Sequence, residues 1–216
     1  MRFMIATKQK LLDGAIAAIR EHGVAGVSAR TIAATAGVNQ ALVFYHYGSV
    51  HELLAAACRA ATQTRVDAYR ERFAAVTSLR ELLDLGRALH EEERELGNVK
   101  VLAQLLAGAQ VDEKLVAPTA SALALWTAEI ESVLSRILAG SPIAEIAQVR
   151  GLAHAVAASF VGLELYEGAD PAGARNAFSA LEQLAVLLEV AEDLGPVARR
   201  ALRSRLAKAR RPRVSP

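Results

Sequence analysis

Residues 44–47 read Phe-Tyr-His-Tyr, which places three of the chain's ten Phe, Tyr and Trp side chains in four positions. A phenol O–H and an imidazole N–H are donors mounted on flat rings. Such a cluster can be core, a ligand box, or a surface that donates to anionic oxygens. Just upstream, Asn39-Gln40-Ala41-Leu42 brings two amides, each carrying a donor and an acceptor side by side. Catalytic chemistry finds little support elsewhere. Histidines stand at 22, 46, 51, 90 and 154, without HExxH or HxxxH spacing. There is no GxSxG, no GxxxxGK[ST] and no Asp-Asp pair, and the single cysteine, Cys58, allows no CxxC. No catalytic residue, metal or cofactor is expected.

The elements that must position these residues read as helices almost throughout. With 216 residues the chain can bury a sizeable core without disulfides, and one cysteine suits a reducing interior. The start, MRFMIATKQKLL, has no long apolar run of the kind a secretion signal needs, and no 18-residue stretch is free of charge. Apolar residues recur at helical spacing, with no strand-length alternation and no 20–50-residue repeat, so an all-α fold is expected. The first helix is expected over about 7–22, carrying Leu11, Leu12, Ala15, Ile16 and Ile19, with Gly23 as its cap. Ser28 should cap a second helix, and Gly37-Val38-Asn39 should turn into a third that ends at Gly48. Ser49 with Glu52 and Ser78 with Glu81 have capping-box spacing ahead of a long fourth helix, to about Ala75, and a fifth, to about Leu96. Helices are then expected at 99–110, from near Pro118 to about 139, at 144–168 and at 172–195, before a basic end.

Charge is divided along the chain: +3 over 1–50, −9 over 51–195 and +8 over 196–216. A basic head and tail around an acidic body imply different partners for each part. The expected domains are a helix-turn-helix over 1–48, a larger helical domain over 49–195 and a basic tail over 196–216. The run Glu91-Glu92-Glu93 with Glu95 reads as a solvated face.

Two short helices over 28–47, joined by a Gly-Val-Asn turn and able to share Ile32, Ala33, Val38 and Val43, form the pattern of a helix-turn-helix, whose second helix enters the DNA major groove. Asn39, Gln40, Ala41 and Leu42 then lead the reading helix. Gln40 can pair in bidentate fashion with adenine, and Ala41 or Leu42 can touch a thymine methyl. Val43 and Tyr47, four apart, should point inward, leaving Phe44, Tyr45 and His46 partly outward. Ser28 caps a helix N-terminus that is also a phosphate site, and Arg30, Lys8 and Lys10 lie nearby in sequence.

The same stretch resembles the tetracycline-repressor-like (TetR) family of bacterial transcription regulators. The resemblance rests on Ser28, Arg30, Ile32-Ala33, Ala36-Gly37-Val38, Phe44-Tyr45-His46-Tyr47, Ser49 and Leu53-Leu54. The chain departs from the family where glycine is usual and Ala41 stands, where a small or polar residue is usual and Leu42 stands, and where lysine is frequent and Val50 stands. The resemblance implies that Phe44, Tyr45 and His46 lie on the phosphate backbone. It implies an effector pocket within 50–140, for which His90, Gln104, Gln110 and Trp126, and more weakly Cys58, are candidate liners. It also implies a four-helix dimer seam from the last two long helices, with Gly151, Leu152, Ala155, Ser159, Gly162, Phe178, Leu181, Leu184 and Leu188 as candidates.

The expectation is a dimeric, ligand-responsive DNA-binding regulator in the cytoplasm, most naturally a repressor on a palindromic operator, released by a small apolar effector. Its partners would be double-stranded DNA, an effector and a second copy of the chain, and no membrane. The alternatives are an all-α protein-interaction module, or an activator without an effector. The basic tail could be a membrane-surface or nucleic-acid element, or a solubilising end.

Overall fold

The computed structural model describes residues 2–139, 141, 148–192 and the positions 197, 200, 201 and 204. Among them regular structure is entirely helical: α1 (Arg2–His22), α2 (Ala29–Ala36), α3 (Ala41–Tyr47), α4 (Val50–Ala75), α5 (Leu79–Glu95), α6 (Asn98–Ala109), α7 (Val116–Ile137), α8 (Val149–Glu167) and α9 (Pro171–Glu192). Short 3-10 turns at Val24–Gly26 and Glu113–Leu115 precede α2 and α7. The first helix starts at Arg2, five residues before the sequence-based start. Residues 144–147 of the expected eighth helix, and most of the basic tail, lie outside the described residues.

Capping explains most of the boundaries. Ser28 Oγ accepts from the Thr31 N–H at 3.2 Å while Thr31 Oγ1 accepts from the Ser28 N–H at 2.7 Å, a closed capping box at the start of α2. Helix α2 stops at Gly37, which is left-handed (φ 63°, ψ 39°), the conformation a glycine adopts without Cβ strain. Ser49 Oγ caps α4 through the Glu52 N–H (3.1 Å), and Ser78 Oγ caps α5 through the Glu81 N–H (3.1 Å). The Glu81 carboxylate reaches one residue further back than the box expects and accepts from the Thr77 N–H (2.6 Å) and hydroxyl (2.8 Å).

The chain forms two compact units. The first combines residues 1–70 with 89–126, so it holds α1 to α3, most of α4, the end of α5, α6 and the first half of α7. Its core joins Leu11, Ala15 and Ile19 of α1 to Ile32 and Ala33 of α2, Val43 of α3, Leu53, Leu54 and Ala57 of α4, and Val101 and Leu105 of α6. Each large aliphatic chain buried there contributes about 1.5–3 kcal/mol. Helices α1 and α2 approach closely because Gly14 faces Ala36: a Cβ on Gly14 would lie 2.7 Å from the Ala36 Cβ.

The second unit holds 71–88 and 127 onward. There Arg136 donates to the carbonyls of Phe73 and Val76, each at 2.9 Å, and so satisfies the C-terminal end of α4 with a cation. Gly86 of α5 sits under the Phe160 ring of α8, which stands edge-on to Phe178 of α9 with centroids 5.8 Å apart. Arg87 lies over the Phe178 ring and pairs with Glu182 at 2.5 Å.

Candidate nucleic-acid interface and the polar core behind it

The outward side of α3 is built from the inside. Val43 is fully buried, and Tyr47 is half-buried with its hydroxyl donating to the Lys8 carbonyl at 3.2 Å, which ties the end of α3 to α1. Burial raises the Tyr47 phenol pKa, so it stays a neutral donor. With those two residues inward, α3 turns Phe44 and Tyr45 to solvent, Tyr45 at 73% exposure, with His46 half-buried beside them. The rings of Tyr45 and His46 meet edge-on, with centroids 4.9 Å apart at 75°. The pair thus presents a phenol and an imidazole as one braced surface.

The helix entry is also exposed. Asn39, Gln40 and Ala41 face solvent and Leu42 is half-buried. Asn39 Oδ1 accepts from the Ala41 N–H at 2.8 Å, while the Asn39 and Gln40 carbonyls accept from Leu42 and Val43. Asn39 is therefore the capping residue in substance, and its side-chain oxygen is committed to the helix. Gln40 is left as the exposed amide at the tip. Arg30, Lys8 and Lys10 are exposed. Ser28 is exposed too, with its hydroxyl engaged in the capping box. The Gln, Tyr and His donors on a small packed scaffold can contact base edges and phosphates.

The body candidates differ in burial. His90 is buried on α5, and Trp126 is half-buried on α7 with its ring centroid 6.0 Å from that of Tyr69. Gln104 and Gln110 are exposed, and the Gln104 amide oxygen lies over Gly23, 3.2 Å from where a Cβ would stand. Cys58 is buried in the core, and burial pushes its thiol up to about 11. An open cleft of about 740 Å³ between α4 and the start of α7 is lined by other residues, including His51, Arg59, Lys114 and Ser121.

Sequence reasoning missed a buried polar cluster. Glu93 is not part of a solvated acidic face: Glu91 and Glu95 are exposed, but Glu93 is buried. Its Oε1 accepts from Tyr69 Oη and from Arg65 Nε, each at 2.7 Å, and its Oε2 accepts from Asn98 Nδ2 at 2.6 Å. Arg65 also donates to the Tyr69 hydroxyl. Burial, reinforced by the Glu93 carboxylate, raises the Tyr69 pKa. Burial opposes the Arg65 charge, yet Glu93 and Tyr69 outweigh it and raise the Arg65 pKa. The available signal was spacing: Glu93 lies four residues after buried Leu89, on the inward stripe of α5.

On α8 and α9 the dimer candidates divide. Gly151, Ala155, Ser159, Gly162 and Leu184 are exposed, Leu152 and Leu181 are half-buried, and nothing approaches Gly162 within 4 Å of a Cβ position. Phe178 instead belongs to this chain's own core. The Leu188 side chain lies outside the described residues.

Residues 11–57, from α1 into α4, match the family model described as bacterial regulatory proteins, tetR family. No curated protein matches the chain. Among solved structures it is similar to a TetR-family transcriptional regulator from Rhodococcus sp., at 25% identity and a TM-score of 0.68, covering 85% of this chain and 98% of that one. It is also similar to a transcriptional regulator from Pseudomonas aeruginosa PAO1, at 22% identity and 0.66, covering 89% and 92%. A third is FadR from Bacillus subtilis in complex with stearoyl-CoA, at 15% identity and 0.66, covering 82% and 97%. Among the described residues no helix is long and apolar enough to cross a membrane, and no group of three or more His, Cys, Asp or Glu could hold a metal ion.

Proposed function

We propose that this chain, whose residues 11–57 match the tetR family of bacterial regulatory proteins and whose fold is similar to that of a TetR-family regulator, is a dimeric, ligand-responsive repressor of a palindromic operator. The observation that carries the reading is the face of α3: Val43 buried beneath, with Gln40, Tyr45 and His46 outward. Gln40 reads a base edge, while Tyr45 and His46 hold the phosphate backbone and Arg30 adds charge. The domains take the limits 1–48 for the reader, 49–195 for effector binding and dimerisation, and 196–216 for the tail. A DNA partner sets the work in the cytoplasm.

Two chains meet through α8 and α9, where Leu152, Ala155, Ser159, Gly162, Leu181 and Leu184 leave an apolar, small-residue stripe exposed or half-exposed. A small molecule binds among the body helices near His90 and Trp126. The Thr119 hydroxyl on α7, buried without a hydrogen-bond partner among the described residues, leaves a polar group for a ligand to satisfy. Ligand binding selects a state in which α4, which leads directly out of the reader, holds the two reading helices at a spacing that no longer fits successive major grooves.

Sheared genomic DNA from the source organism, captured by the full chain and sequenced, tests the reading. A few fragments sharing one inverted repeat are expected, and a component of cell extract should release them. Capture of fragments with no shared sequence would remove it.

A further inference from the structure

The open cleft between α4 and the start of α7 is built from two facing stripes. On α4 its walls take positions 51, 52, 55, 56 and 59, and on the other side 114, 117, 118 and 121, each set at helical spacing. Two polar bridges cross it. His51 Nε2 meets Asp112 Oδ2 at 3.2 Å, and Arg59 Nη1 donates to Ser121 Oγ at 2.9 Å. Between the bridges stand Ala55 and Ala56 on one wall and Ala117 and Pro118 on the other. Side chains this short leave about 740 Å³ open, within the range of about 300–1,000 Å³ for small-molecule sites. The bridging positions on α4, 51 and 59, are about 12 Å apart along the helix, room for a ring or a short chain. All of these residues belong to the same compact unit.

The walls combine methyl surface with cations. Arg59 spends one N–H on Ser121 and keeps the other donors of its fork, and Lys114 is exposed on the facing wall. Asp112 is committed on both oxygens, Oδ2 to His51 and Oδ1 to the Lys114 N–H at 3.0 Å. Among the lining residues Glu52 is the one acid, and it stands in the first turn of α4, where the helix dipole favours it. An arginine fork and an ammonium suit a carboxylate, which accepts several charge-assisted hydrogen bonds at once. A bare inorganic anion would leave the apolar walls uncovered. We propose that this cleft binds a small carboxylic acid with an apolar body, aryl or short-chain, its carboxylate held by Arg59 and Lys114 and its body laid on the alanines and Pro118. The site shares no residue with the pocket proposed near His90 and Trp126. DNA takes no part in it, so the regulator reading can fail without touching this one.

Benzoate and octanoate are the probes, each beside its neutral amide. Each is added to the full chain and followed by calorimetry and by backbone amide shifts in nitrogen-labelled protein. At least one acid should bind at millimolar concentration or below and move the amides of Ala55, Ala56 and Ala117. It should bind about tenfold more tightly than its amide, as charged hydrogen bonds require. Arg59→Met and Lys114→Met should each weaken it by a similar factor, and Ala117→Trp, which fills the cleft, should abolish it. All three positions are exposed, so the variants are expected to fold. Binding of neither acid at millimolar concentration would overturn the proposal. So would equal binding of acid and amide, undiminished binding in Ala117→Trp, or shifts confined to residues around His90 and Trp126.

Discussion

At the scale of single residues, side chains that hold the fold are distinct from those that meet a partner. Tyr45 is 73% exposed, so its removal should leave folding intact while stripping a phosphate contact. Tyr45→Ala is expected to weaken binding to every duplex alike, by about 1–2 kcal/mol, with an unchanged urea midpoint. Fluorescence anisotropy against several sequences, alongside denaturation, checks both halves. Cys58 behaves oppositely. Burial raises its thiol to about 11, so the folded state favours the neutral form. Its contribution to stability is therefore full below the unfolded thiol pKa of about 8.5 and is lost as pH climbs from there toward 11. Native protein should resist maleimide labelling at neutral pH, and denatured protein should react at once. The outward Tyr45 and inward Val43 were legible from helical spacing alone. Glu93 was not, because three adjacent glutamates look alike until the inward stripe of α5 is traced through Leu89.

At the scale of elements, caps were the most legible feature, since a cap is written within three or four residues. Ser28, Ser49 and Ser78 all cap where their spacing said they would. The start of α1 at Arg2 was not legible in the sequence, since no capping residue marks it. The approach of α1 to α2 was visible only as a glycine and an alanine far apart in sequence, and it leads to a prediction. Gly14→Ala puts a Cβ at 2.7 Å from that of Ala36 and should cost about 1–3 kcal/mol in urea unfolding. Adding Ala36→Gly removes the shortest contact but leaves the residue-36 Cα and N at 3.1 Å, so the double variant should recover part of the loss, a non-additivity that separates contact from helix propensity. A purely additive pair would show that the helices do not meet there.

At the scale of the whole molecule, residues 11–57 were recognisable from motif, whereas the rest was legible only as helices. The body is built for shape and apolar burial, which many sequences satisfy, so its contacts had to come from the structure. Leu184 and Leu187 are 55% and 64% exposed on α9, an unusual cost for a lone chain in water. Leu184→Glu should shift the chain toward monomer in sedimentation velocity and weaken operator binding with it; a variant that sediments as the native chain does would place the interface elsewhere. The central claim, a paired reader of specific DNA, is tested most directly by selection from randomised duplex DNA at fixed moderate salt, with the native chain and Gln40→Ala side by side. A palindrome with half-sites one helical turn or a multiple apart is expected, relaxed at a symmetric position in Gln40→Ala. Failure of the native chain to enrich any sequence above nonspecific background would contradict it.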